Sequence, residues 1–288
     1  MLSIKGDGAK QSRIRKSSPE EFGRRKLSWT IPDARYVAFN VAAYLATIFF
    51  IGWLLVRGAQ SFGYNWQWYR VPAYLFRFID GEIYPGPLVR GLMVTLEVSV
   101  YSLALAVLLG LLGAVLRLSH SRVGTLVGML YVETIRNMPL LIQMYLFYFV
   151  LAQILMIDRF PAAVWCLATF QGAYLTEIFR AGIQSVPRGQ WEASLSLGMR
   201  SAATFWKIIL PQAVRLVIPP LTNQAISLVK QSAIVSVIAV FDLATEGRNV
   251  IADTFMTFEI WLTVAFIYFC ITTLMSIAAG RIEALVRR

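Results

Sequence analysis

The sequence predicts an all-α membrane protein with about six transmembrane helices, and three observations lead there. Apolar residues make up 57% of the 288 residues and charged residues only 15%, whereas soluble domains run nearer ~45–50% and ~25%. The apolar residues gather in long runs of roughly 20 or more, the length that ~30 Å of hydrocarbon demands of a helix. The Lys and Arg residues behind the net charge of +11 lie in the tails and between the runs; they do not form the single basic face that nucleic acid requires.

Taken in order, residues 1–35 are polar and basic, with Gly, Ser and Pro interspersed. They read as a largely disordered cytoplasmic tail held near anionic lipid. Arg24-Arg25 precede a long apolar run with no small-residue cleavage site, so a retained signal-anchor helix over 36–56 is expected rather than an export signal. Residues 57–87 carry Tyr64, Trp66, Trp68, Tyr69 and Tyr74, the composition of an aromatic connector at the outer interface. Further spans are expected over 88–116, 124–157, 160–183, 211–240 and 259–280. On this layout 19 Lys and Arg fall on one side and 5 on the other, which puts both termini in the cytoplasm.

Several chemistries lack their residues. Cys166 and Cys270 lie inside apolar runs without a CxxC or Cys/His cluster, as small buried side chains do. His120 sits in a basic turn as a solvated loop residue. No phosphate-binding GxxxxGK[ST], HExxH, GxSxG or paired metal ligands occur. The expectation is therefore no catalytic residue, no metal and no cofactor held by this chain, and no nucleic-acid partner. Any driving energy comes from a partner or an ion gradient.

The stretch between the fourth and fifth spans is the most informative. It runs Ser185-Val-Pro187-Arg-Gly-Gln-Trp191-Glu192-Ala193-Ser194-Leu-Ser-Leu-Gly198, then on to Ile208-Ile-Leu210-Pro211. Pro187 suits a helix start, Glu192 lies in the early turns where the dipole favours an acid, and Gly198 sits where a left-handed C-cap would end the helix. Ser201 can cap a second helix leading into the membrane. Small Ala193, Ser194 and Ser196 leave room for another surface.

Glu-Ala-Ser, three residues, Gly, nine residues, Ile-x-Leu-Pro resembles the "EAA" signature of permease subunits of bacterial ABC importers, with Ser194 in place of the second Ala. Glu133-x-x-Arg136-x-x-Pro139-Leu-Leu-x-Gln143 resembles a block of the polar amino acid branch, as do the segments 173–192 and 219–232. Gln231 departs from that pattern, where an acidic residue is common. The likeness covers about 88–285, leaving 36–56 as an extra N-terminal helix before a five-span permease domain.

The resemblance implies an inner-membrane, multi-pass transporter subunit in a bacterium that forms a path for polar amino acids. It implies that 191–211, with Glu192, Ala193, Ser194, Gly198, Ile208, Leu210 and Pro211, is a coupling helix and its exit. The implied partners are two copies of a cytoplasmic ATP-binding subunit holding ATP and Mg, a second permease, homologous or identical, an extracytoplasmic amino-acid-binding protein, and membrane lipid. An ion-coupled carrier would leave the 192–211 pattern unexplained and would call for inverted repeats, which the sequence lacks. A membrane-embedded enzyme would need a catalytic constellation.

Polar groups inside the spans are costly, about 2.5–3.5 kcal/mol for a central charge, and usually functional. Glu133 and Arg136 are three residues apart on one helix and can neutralise each other. Pro139 should break or kink that helix. Glu133, Arg136, Pro139, Asn223 and Lys230 are expected as intramembrane polar or structural positions. Gln143, Gln171, Tyr174 and Glu177 are expected along the substrate path, with Glu177 near an ammonium group or else paired with Arg180.

Overall fold

A computed structural model describes residues 34–61 and 63–286; the reading of the basic tail falls outside them. The chain divides into two compact units, Met1–Asn65 and Trp66–Arg288. The first contains α1 (Ala34–Ser61), 28 residues and so ~42 Å long. Its apolar side chains, Phe39, Leu45 and Phe49 among them, are exposed, and its Thr47 hydroxyl donates to the Ala43 carbonyl at 2.8 Å, which spares lipid an unpaired polar group.

The second unit opens with a 3-10 turn, Trp68–Arg70, and the short α2 (Val71–Leu75). A two-stranded hairpin follows, β1 (Phe76–Ile79) and β2 (Glu82–Pro85), antiparallel with Phe76 opposite Pro85. Asp80 and Gly81 turn it, both at positive φ (52° and 83°), the requirement of a two-residue type I′ turn. This hairpin is the one departure from an all-helical reading among the described residues. It is followed by α3 (Pro87–Leu118), α4 (Arg122–Arg136), α5 (Leu140–Tyr145), a π-helical stretch Leu146–Ala152, α6 (Gln153–Leu155), α7 (Arg159–Gln184), α8 (Arg188–Ser196) and α9 (Ser201–Thr204). A second π-helical turn, Phe205–Ile209, enters α10 (Leu210–Gln231). A 3-10 stretch Ser232–Ile238, α11 (Leu243–Thr254) and α12 (Thr257–Val286) complete the chain.

Among the described residues, α1, α3, the run Ser201–Ile238 and α12 are long and apolar enough to cross a membrane, and α4 with α5–α6 forms a further, bent span. The sixth expected span is α7. At 26 residues it is ~39 Å long, but it is more polar because it is the buried centre of the unit. Cys166, Leu167, Ala173 and Leu175 on it are fully buried.

Glycines set its closest contact. A Cβ on Gly110 of α3 would fall 2.6 Å from Leu175 Cβ, one on Gly113 would strike Thr176, and one on Gly172 would lie 2.9 Å from Leu109 Cβ. Small residues at such positions let backbones approach where dispersion, not the hydrophobic effect, holds membrane helices together. The fully buried Glu259 at the start of α12 accepts from the Gln67 amide at 2.6 Å, tying the segment before α2 to the last span.

Candidate functional site

Two sites emerge, an elbow between α7 and α10 and a cleft among the spans. In the elbow, α8 starts after Pro187 and stops in a complete Schellman turn. The Gly198 amide donates to Leu195 O at 2.9 Å and the Met199 amide to Ser194 O at 3.2 Å, with Gly198 at φ +78°. Both bonds are those that motif uses to satisfy a helix's last carbonyls. α9 then begins at Ser201 with Arg200 at the cap position and no side-chain capping bond, so Ser201 is the first helical residue and not the cap the sequence suggested.

The elbow is anchored from one side and open on the other. Val186, Ile209 and Ala213 are buried together, with Trp191, Phe205 and Ile208 packed on them. Ser194 is buried, its hydroxyl donating to Gln190 O at 2.6 Å. Glu192, Ala193, Leu195 and Leu197 are exposed, Leu197 by 81%. Leu210 and Pro211 open α10. The short polar α8 and its cap thus present two exposed leucines and a carboxylate, while the other side packs on residues that lead into α7 and α10.

The cleft, of about 550 Å³, is lined by Arg136, Tyr174, Glu177, Ser185, Leu216, Pro220 and Gln224 with neighbours on α7. α4 and α5 meet at 105° across Asn137–Pro139, a break rather than a kink, since Pro139 has no N–H to continue the ladder. That break leaves Arg136 at a helix end. Its guanidinium carbon lies 5.1 Å from the Tyr174 ring centroid, a cation–π distance. Glu177 Oε2 accepts from Arg180 Nε (3.1 Å) and Nη2 (2.6 Å), and its Oε1 lies 3.5 Å from Arg117 Nη2. Among the described residues these are the ion pairs. Glu133 and Arg136 do not pair; Glu133 accepts from Asn137 Nδ2 at 3.2 Å.

Of the four expected path residues the structure brings Tyr174 and Glu177 to the cleft, together with Gln224. Gln143 is buried elsewhere, its Nε2 donating to Ile135 O (2.7 Å) and Met138 O (2.9 Å). It staples the helix break by satisfying carbonyls that the break strands. Gln171 is fully buried between α7 and α10, its Nε2 donating to Gln224 Oε1 at 2.6 Å. Asn223 and Lys230 are exposed on α10. Arg117, distant along the chain from Glu177, is the member of the charge cluster that sequence reasoning missed, because no local spacing links α3 to α7.

A bundle of apolar helices with a broken span, a polar cleft and an exposed helix–turn–helix elbow matches the permease class of membrane protein. The chain belongs to the family described as binding-protein-dependent transport system inner membrane component, whose pattern matches residues 106–288. It is thus a membrane permease subunit of an ABC importer. Solute delivery falls to a substrate-binding protein and ATP hydrolysis to an ATP-binding partner.

The chain is 40% identical over 190 residues to a probable glutamine ABC transporter permease protein, GlnM, of Bacillus subtilis (strain 168), spanning 66% of this chain and 88% of that one. It is 38% identical over 195 residues to the L-cystine transport system permease protein TcyB of the same organism, spanning 67% and 83%. A crystal structure of an amino acid ABC transporter with histidines superposes with a TM-score of 0.66 at 39% identity, covering 69% of this chain and 93% of that one. The inward-facing MetNI methionine ABC transporter shares the fold, with a TM-score of 0.59 at 22% identity.

Proposed function

We propose that this permease is one of two, identical or homologous, that enclose a path for polar amino acids. Two ATP-binding subunits dock beneath the pair at the α8–Gly198–α9 elbow, ATP and Mg residing on them alone. Both termini lie in the cytoplasm, and the binding protein meets the outer face. The observation that carries the reading is the elbow: an exposed Glu192-Ala193 face with Leu195 and Leu197, held at fixed geometry by the positive φ of Gly198 and the buried Val186–Ile209–Ala213 contact.

Three further features support it. The relatives' names specify glutamine, L-cystine and an amino acid transporter. The open cleft and the exposed Asn223 and Lys230 on α10 are polar surface that lipid covers only at a cost, which favours a protein partner there. The 19-to-5 bias in Lys and Arg favours that orientation.

The test is uptake by proteoliposomes holding this chain with its ATP-binding subunit, its second permease and its binding protein. Labelled glutamine or another polar amino acid should accumulate only with ATP and binding protein present. A complex that hydrolyses ATP yet accumulates no amino acid would overturn the substrate reading.

A further inference from the structure

Resting on the amino acid reading above, we infer that the cleft receives the solute's α-carboxylate on Arg136 and that this route selects amino acids without a cationic side chain. The sequence had suggested Glu177 as the receptor of an ammonium group. Its charge is already countered by two arginines: Oε2 accepts twice from Arg180, and Oε1, which holds no hydrogen bond, lies 3.5 Å from Arg117 Nη2. What the cleft offers instead is Arg136. Its guanidinium carbon lies over the Tyr174 ring at 5.1 Å from the centroid, and among the described residues it has no hydrogen-bonded carboxylate or carbonyl partner. A guanidinium held by a ring through its charge can still offer its N–H donors, and their planar fork matches a carboxylate with two parallel hydrogen bonds.

The charges of the neighbourhood point the same way. Arg136 and Glu177 are the charged groups of the lining, and Arg117 and Arg180 stand behind it against the same carboxylate, so three cations act on Glu177. A cleft beside a cluster with surplus positive charge attracts an anionic group and repels a second cation.

Acceptors for the amino end of a zwitterion also belong to lining residues. Pro219 and Pro220 lie inside α10, and Pro220 supplies no N–H for the Leu216 carbonyl four residues back. Leu216 and Pro220 both line the cleft, as does Tyr174, whose hydroxyl also accepts. At about 550 Å³ the space lies within the range of small-ligand pockets.

The test is equilibrium binding to the detergent-purified permease–ATPase complex without binding protein, so that selectivity is the path's own. The probes are L-glutamine, L-glutaminamide, which lacks the carboxylate, and L-lysine. Glutaminamide and lysine should bind about tenfold or more weakly than glutamine, since a site built to bond a group rejects the analogue lacking it. Arg136→Gln should abolish the preference for glutamine over its amide, and Arg136→Lys should restore part of it. Equal binding of glutamine and its amide by the parent complex, equal binding of lysine, or an undiminished preference in Arg136→Gln would overturn the inference. The ligand comparison on the parent decides the matter even where a variant fails to assemble. Amino acid uptake with no such preference sinks this inference alone; absence of any amino acid uptake sinks the substrate reading on which it rests.

Discussion

Substitution of Gly198 separates backbone geometry from side-chain contact at the elbow. The residue stands at φ +78°, and a Cβ built there meets nothing within 4 Å. The penalty for replacing it is therefore conformational. Ala in the left-handed region costs about 1–2 kcal/mol; a β-branched residue is a still rarer outlier there, with strain of about 2 kcal/mol or more. Asn tolerates the region best among non-glycine residues. At 1.4 kcal/mol per tenfold, Gly198→Val should shift the elbow's equilibrium about thirtyfold away from the shape that both Schellman bonds require. Uptake in proteoliposomes should then rank Gly198, Asn, Ala, Val, with Val reduced about tenfold or more and all four inserted at equal levels. Parental uptake by Gly198→Val, or Asn worse than Val, would refute the claim that the positive φ of this residue shapes the coupling element.

Further outcomes follow from the bundle. Gln143→Leu keeps the volume but leaves the Ile135 and Met138 carbonyls without their shared donor, a loss of about 1–3 kcal/mol; the Tm of the detergent-solubilised complex should fall, while selectivity among amino acids holds. Gly113→Val drives side-chain atoms into Thr176 at the α3–α7 contact, overpacking that costs about 1–3 kcal/mol or more and should lower the yield of assembled complex. A reporter active only outside the cytoplasm, fused after Arg288, should be silent, and strong activity there would contradict the orientation.

Much of this was legible because the relevant signals are local. Pro139 removes a donor, Gly198 frees a backbone angle, and Val186-Pro187 starts a helix, each through its own covalent chemistry. The hairpin was equally legible in Asp80-Gly81 between β-prone residues, but the aromatic content of 57–87 drew attention to the interface instead. What was hidden is non-local. Gln143 has polar partners only because the break strands carbonyls five and eight residues earlier. The Glu177–Arg180 pair could be read from its spacing, while Arg117 reaches the same carboxylate through the glycine-lined α3–α7 contact, which no spacing announces. Polarity alone marked Gln143, Gln171, Tyr174 and Glu177 as equivalent; packing divides them into staple, inter-helix bond and cleft wall.

The claim on which the rest depends is that α8 seats in the ATP-binding subunit. The most direct measurement is cross-linking from Glu192→Cys, on the exposed face of that helix, in the otherwise cysteine-free complex, Cys166 and Cys270 having been replaced. A short thiol-to-amine reagent should join this chain to the ATP-binding subunit, and the yield should change between nucleotide-free and ATP-bound states. Cys placed at exposed Phe266 on the apolar face of α12 should give no such product. An intact, ATP-hydrolysing complex in which position 192 yields no cross-link to the ATP-binding subunit in either state would contradict the coupling role of the elbow.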